Sequence, residues 1–104
     1  MQYGLSDYTL ATLENIFSKY PSIKEVILYG SRAMGNYKNG SDIDISLKTD
    51  SSFSFDSLLH ISRDFDNSDM PYFVDVSIYS KISNEKLLSH IERNGKVLYK
   101  TSTN

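Results

Sequence analysis

The sequence predicts a small α/β (α+β) fold, a mixed or antiparallel sheet with helices packed on one face. Three observations predict it. Stretches with apolar residues at helical spacing alternate with short apolar runs of strand length. Some of those runs are apolar throughout and others alternate apolar with polar, which separates central strands from half-buried ones. Clusters of Gly, Asn, Ser and Pro punctuate the boundaries.

The elements follow in order. Ser6 is placed to cap a first helix with Asp7 in its opening turn, where a negative charge meets the helix dipole. Leu10, Leu13, Phe17 and Tyr20 recur on one face, and Pro21 ends the element. Lys24 to Tyr29 reads as a strand apolar on both sides, hence central. Gly30 and Ser31 break it, and Arg32–Met34 has room for a single helical turn. Gly35, Asn36, Asn39 and Gly40 then mark a loop reaching Ser41. Ile43, Ile45 and Leu47 alternate with Asp42, Asp44, Ser46 and Lys48, a strand with one dry and one polar face. Phe55, Leu58, Leu59 and Phe65 predict a second long helix with Ser54 or a neighbour as its cap. Tyr72 to Tyr79 is a further alternating strand. Ser83 is read as the cap of a last helix carrying Leu87, Leu88 and Ile91, with Gly95 at its left-handed exit. Val97 to Tyr99 forms a short closing strand. The first few residues and Thr101 to Asn104 read as loose ends.

Composition narrows the function. The 104 residues suffice for one core, so 1–104 is read as one minimal domain. With 39% hydrophobic residues, 23% charged, eight Tyr and five Phe, the chain is neither disordered nor membrane-spanning in character. Runs such as Val26-Ile27-Leu28-Tyr29 fall far short of the ~18 apolar residues a bilayer helix requires. No secretory signal is visible at Met1-Gln2-Tyr3-Gly4, and a cytoplasmic location is expected. The absence of cysteine excludes disulfides, thiol catalysis and Cys-ligated zinc. Eleven basic against thirteen acidic residues leave a net charge of −2, without the basic stripe of a nucleic-acid binder, so no nucleic-acid partner is expected.

Three features converge on one chemistry. Gly30-Ser31 leaves an apolar strand and enters a turn or helix start, where backbone N–H groups are free and glycine lets a phosphate approach. Asp42 and Asp44 lie two apart on a strand, so their carboxylates share a face while Ile43 turns to the core. Oxygen ligands at that spacing suit Mg²⁺ or Mn²⁺, whose remaining shell comes from water and phosphate. Asp75 lies in a strand on the face opposite Val74 and Val76, and joins the pair if the two strands are neighbours. Three carboxylates beside a phosphate turn describe a two-metal phosphoryl-transfer site. Taken singly, each feature has a plainer reading: a turn, a polar strand edge, an exposed aspartate.

The run Leu28-Tyr29-Gly30-Ser31-Arg32-Ala33-Met34-Gly35 followed by Ser41-Asp42-Ile43-Asp44-Ile45 resembles the signature of the DNA polymerase β-type nucleotidyltransferase superfamily. Its pattern is Gly-Ser, ten residues, then Asp-x-Asp, and ten residues separate Ser31 from Asp42 here. More narrowly the chain resembles the minimal MNT group, small domains that often partner helical HEPN proteins as toxin–antitoxin pairs. The resemblance extends from the first helix to Gly95-Lys96-Val97-Leu98-Tyr99. It implies a polymerase-β-like fold in which Gly30 and Ser31 cradle the triphosphate and Asp42 and Asp44 ligate two metal ions. Asp75 matches the third carboxylate, which completes the metal site near the attacking hydroxyl and is placed to act as its base. The activity implied is transfer of AMP from ATP to a tyrosine of a HEPN-type toxin, with this chain as antitoxin. No second domain for binding an acceptor is visible, so the acceptor is expected to be a protein brought by another chain.

Other residues carry open alternatives. Arg32, beside the phosphate turn, suits either a triphosphate contact or a structural salt bridge. Lys38 is read as a solvated loop lysine, and Ser41 either orients Asp42 or caps the loop. His60 and His90, in different helices and without a metal partner at helical spacing, are read as surface residues. Phe53, Phe73 and Tyr79 are core aromatics or platforms for a base or partner. The rival to catalysis is a binding module of the same fold that neutralises a partner by masking it; a metal-binding regulatory domain without nucleotide is the weaker third. G-x-x-x-x-G-K-[ST] is absent, so a P-loop enzyme is not a contender.

Overall fold

A computed structural model describes residues 1–101. The elements run α1 (Asp7–Ser18), β1 (Ile23–Tyr29), α2 (Gly30–Met34), β2 (Ile43–Thr49), α3 (Phe55–Asp66), β3 (Val74–Ile78), a single 3₁₀ turn (Tyr79–Lys81), α4 (Glu85–Asn94) and β4 (Lys96–Lys100). The strands form one sheet in the order β3-β2-β1-β4. β1 runs antiparallel to both neighbours, whereas β2 and β3 are parallel. A mixed sheet follows because α3 carries the chain back between β2 and β3, the crossover that parallel pairing requires.

Alternation along β2 explains the layering. Ile43, Ile45 and Leu47 are fully buried and face a core built with Leu13, Ile16 and Phe17 of α1 and Ile61 of α3. Phe17 meets Phe65 edge to face at 5.6 Å, a pair contributing roughly 0.5–1.5 kcal/mol beyond its burial. β1 is dry on both sides, as its sequence suggested. Val26 and Leu28 face this core, while Ile27, only 6% exposed, packs on the opposite side. That second side is covered locally by α4, which brings buried Ile91 and Gly95 onto β1 and also meets α2. α4 therefore adds a helix to the face predicted to be bare, at the strand whose apolar residues point both ways.

Capping follows side-chain chemistry. The Ser6 hydroxyl accepts the Thr9 N–H at 3.1 Å, and Ser54 and Ser57 form a reciprocal capping box on α3. The cap of α4 is Asn84 rather than Ser83: its Oδ1 accepts from Lys86 N–H at 2.9 Å and Leu87 N–H at 3.1 Å, satisfying two free donors with one side chain. Gly95 is also used differently from expectation. Its φ of −63° is available to any residue, but a Cβ there would press on the Ile91 carbonyl oxygen and come within 2.7 Å of Ile27 Cγ2. Glycine is needed for close approach of α4 to β1, not for a left-handed exit.

The N-terminal residues are not loose. Gln2 and Leu5 exchange backbone hydrogen bonds of 3.2 and 2.7 Å around a turn with Tyr3 at φ 57° and Gly4 at φ 72°. Thr101 N–H donates to Lys24 O at 3.1 Å, so that residue is tied to the sheet, and 102–104 lie outside the described residues. Among the described residues, no helix is long and apolar enough to cross a membrane.

Candidate active site

The parallel pairing of β2 with β3 decides the site. Asp44 and Asp75 are direct partners in that ladder, and Tyr29 is the partner of Asp44 on the other side. Because Ile43 and Ile45 face the core, Asp42, Asp44 and Ser46 belong to the opposite face, as do Asp75 and Ser77. Asp42 and Asp75 are exposed and Asp44 is half-buried. Burial raises the Asp44 carboxyl above its ordinary pKa, and the charges of Asp75 and then Asp42 push it further. His90 acts in the other direction. Tyr29 is raised too, chiefly by burial and also by Asp44 and Asp75, against a hydrogen bond with Ser77 that lowers it. A concentration of negative charge therefore sits on an open sheet face. Among the described residues, no lysine or arginine forms an ion pair with any of these three carboxylates.

Gly30 borders this face. It opens α2 with φ 76°, in the left-handed region. A Cβ at this position would collide with Asp44 Oδ2 and lie 3.3 Å from its Cγ. Glycine here thus gives room to the Asp44 carboxylate, a tighter reason than the approach of a phosphate. The Gly30 N–H donates to His90 Nε2 at 2.9 Å. His90 is half-buried, with its ring edge-on to Tyr29 at 6.1 Å and its Nδ1 3.2 Å from the Asn94 side-chain amide. The surface reading of His90 is corrected, since it reaches the turn from α4. Helical periodicity could not reveal this without knowing that α4 crosses the carboxylate-bearing face.

Arg32 serves the scaffold. It is 2% exposed. Its Nε and Nη2 both donate to Ser41 O, at 3.1 and 2.8 Å, and Nη1 donates to Tyr3 O at 3.0 Å. The guanidinium also stacks against Tyr72 and Tyr37, 4.4 and 5.3 Å from the ring centroids. Among the described residues it forms no salt bridge; backbone carbonyls and two rings engage the group instead. By gripping Ser41 it closes the loop immediately before Asp42. The Ser41 hydroxyl accepts from Lys38 N–H at 2.9 Å, so it caps the loop. Lys38 and His60 are exposed, as expected. Tyr79 donates to Glu92 at 3.0 Å and lies under Lys48, while Phe73 stays 67% exposed two residues before Asp75.

A hollow of about 540 Å³ is lined by Thr49, Phe53, Phe55, Leu58 and Ile78 at the other end of β2 and β3 from the carboxylates.

The family profile described as Polymerase beta, Nucleotidyltransferase matches residues 11–104. No curated protein matches the chain in sequence. Among solved structures, the fold is similar to a toxin–antitoxin crystal structure with AMP-PNP (TM-score 0.71, 19% identity, 89% of this chain and 74% of that one). It is also similar to a tri-AMPylated Shewanella oneidensis HEPN toxin in complex with MNT antitoxin (TM-score 0.68, 16% identity, 93% and 74%). A Sulfolobus solfataricus protein assigned as a nucleotidyltransferase is similar over almost its whole length (TM-score 0.54, 24% identity, 97% and 95%). The structural likenesses speak for the fold, and the profile covers nine-tenths of the sequence: the chain belongs to the polymerase-β-type nucleotidyltransferase family.

Proposed function

We propose that this chain is a metal-dependent nucleotidyltransferase that transfers AMP from ATP to a hydroxyl of a partner protein, plausibly a HEPN-type toxin, and thereby acts as its antitoxin in the cytoplasm. The observation that carries the reading is the pairing of Asp44 with Asp75 across β2 and β3, with Asp42 two residues upstream on the same face. The donor set suits a hard divalent cation: carboxylate oxygens only, with Asp44 held above its ordinary pKa by burial and by the negative charge of its neighbours. Among the described residues, no group of three His, Cys, Asp or Glu side chains is arranged to hold a metal ion as it stands, so the three carboxylates would have to draw together on the ion, with water and triphosphate completing its shell.

Asp42, Asp44 and Asp75 would hold Mg²⁺ or Mn²⁺, two ions in the full reading. A divalent ion held there would supply charge neutralisation for the triphosphate and for the charge developing at the α-phosphate. Gly30 and Ser31, at the start of α2, would border the triphosphate. Asp75 lies on the edge strand, open to an incoming chain. There it accepts the proton as the acceptor oxygen bonds to the α-phosphorus, while the bond to the departing pyrophosphate breaks. The toxin–antitoxin neighbours, one with AMP-PNP and one with an AMPylated HEPN toxin, support this choice of nucleotide and acceptor.

The test is to incubate the purified chain with Mg²⁺, each labelled nucleoside triphosphate and its gene-neighbour protein, then weigh both proteins. One or more added AMP groups on the neighbour, dependent on Mg²⁺, are expected. An unchanged mass with every triphosphate would overturn the reading. In cells, Asp42→Asn/Asp44→Asn should abolish protection. Full protection by the stably expressed double variant would instead make masking the biological function.

A further inference from the structure

We propose that His90 is a positioning residue of the nucleotide site, holding in place the Gly30 turn that packs against the Asp44 carboxylate. The inference rests on the nucleotidyl-transfer reading above. Gly30 touches two groups: its N–H donates to His90 Nε2 at 2.9 Å, and its α-carbon faces Asp44 so closely that a Cβ would strike Oδ2. The place of the turn therefore limits where the carboxylate oxygen can lie.

The chemistry of the ring sets its form. Nε2 accepts a hydrogen bond, so it carries no proton, and the neutral imidazole holds its proton on Nδ1. The atom 3.2 Å from Nδ1 is Asn94 Nδ2, so donation from Nδ1–H calls for the Asn94 amide turned over, with its oxygen in that place. Asn94 lies one helical turn beyond His90 on α4, so a single element supplies both the acceptor and the side chain that meets its other ring nitrogen. Ring packing against Tyr29, the residue preceding Gly30, fixes the remaining rotation.

His90→Ala removes the acceptor, and alanine favours the helix. His90→Gln restores an acceptor oxygen close to the place of Nε2. In the metal-free protein, amide hydrogen exchange at Gly30 should quicken at least ~10-fold in His90→Ala and return towards the native rate in His90→Gln, with both variants keeping the native melting temperature within a few degrees. Mg-ATP affinity, read by calorimetry, should fall ~10-fold in His90→Ala, corresponding to ~1.4 kcal/mol, and recover to within about threefold in His90→Gln. Unchanged or tighter Mg-ATP binding by a folded His90→Ala overturns the proposal, tighter binding marking His90 as a competitor for the turn. Equal loss in the two variants, or Gly30 exchange that ignores the substitution, overturns it as well. Wild-type protein that binds no Mg-ATP would count against the proposed function, whereas the exchange measurement would still judge the His90 contact.

Discussion

Gly30→Ala tests the geometry at the centre of the site. The native φ of 76° costs an alanine roughly 1–2 kcal/mol relative to a right-handed conformation. The new methyl would overlap Asp44 Oδ2 and press on Cγ at 3.3 Å, so the carboxylate must swing off its preferred rotamer, at roughly 0.5–1.5 kcal/mol more. The two effects sum to a loss of roughly 1.5–3.5 kcal/mol. They can be separated. Asp44→Ala removes the struck atoms, so the double variant should regain only the steric part, ~0.5–1.5 kcal/mol of coupling, while the backbone part remains. Urea unfolding in EDTA measures all four corners of the cycle. Gly30→Ala should also weaken Mg-ATP binding, because the displaced carboxylate is one of the proposed metal ligands. A Gly30→Ala protein within ~0.5 kcal/mol of native and fully additive with Asp44→Ala would refute both the left-handed turn and its contact with the carboxylate.

Further outcomes follow from the charges and the buried polar groups. Asp44→Asn in EDTA should be neutral or stabilising, by ~0.5–2 kcal/mol, since functional sites often hold unfavourable charge. The sign follows from linkage: with Asp44 raised in the folded state, its contribution is fully present below the unfolded value and is lost as pH rises through the folded one. The substitution should therefore help most at neutral pH, and marked destabilisation in thermal melts there would mean that the native carboxylate is a structural acceptor. Arg32→Lys should cost ~2–3 kcal/mol in urea unfolding, because one ammonium cannot satisfy Ser41 O and Tyr3 O while stacking on two rings; a cost below ~0.5 kcal/mol would show that the fork is dispensable. Tyr20, whose hydroxyl is partly buried and hydrogen-bonded to Asp64, is pushed up to about 12. Its stabilising contribution is present below the ordinary phenol value of 10 and is lost as pH rises towards 12. Phenolate absorbance should lose its component titrating near 12 in Tyr20→Phe, while the raised Tyr29 and Tyr79 remain; persistence of that component would place the shifted group elsewhere.

Local chemistry made the elements and half of the site readable from the sequence. Ser6, Ser54, Pro21 and the alternation at Ile43, Ile45 and Leu47 act over a few residues, so helix starts, strand faces and the shared face of Asp42 and Asp44 follow without knowledge of the fold. The Gly-Ser and Asp-x-Asp spacing likewise lies in one stretch of chain. What stayed hidden depends on partners distant in sequence. Asp75 stands beside Asp44 only because α3 returns the chain for parallel pairing, and nothing near Asp75 records that register. His90 meets Gly30 across sixty positions of sequence separation, and its helix shows only which residues are apolar, not which face of the sheet it covers. The dry second side of β1 was the one local sign that something packs there. Arg32 and Gly95 show the same limit from another direction. A guanidinium beside a phosphate turn and a glycine after a helix each have a familiar local meaning, but here tertiary contacts determine their use: two carbonyls and two rings occupy Arg32, and the approach of α4 to β1 requires Gly95. Periodicity and turn chemistry are properties of neighbouring residues, whereas register, helix placement and the satisfaction of buried polar groups are settled only when the whole sheet is assembled.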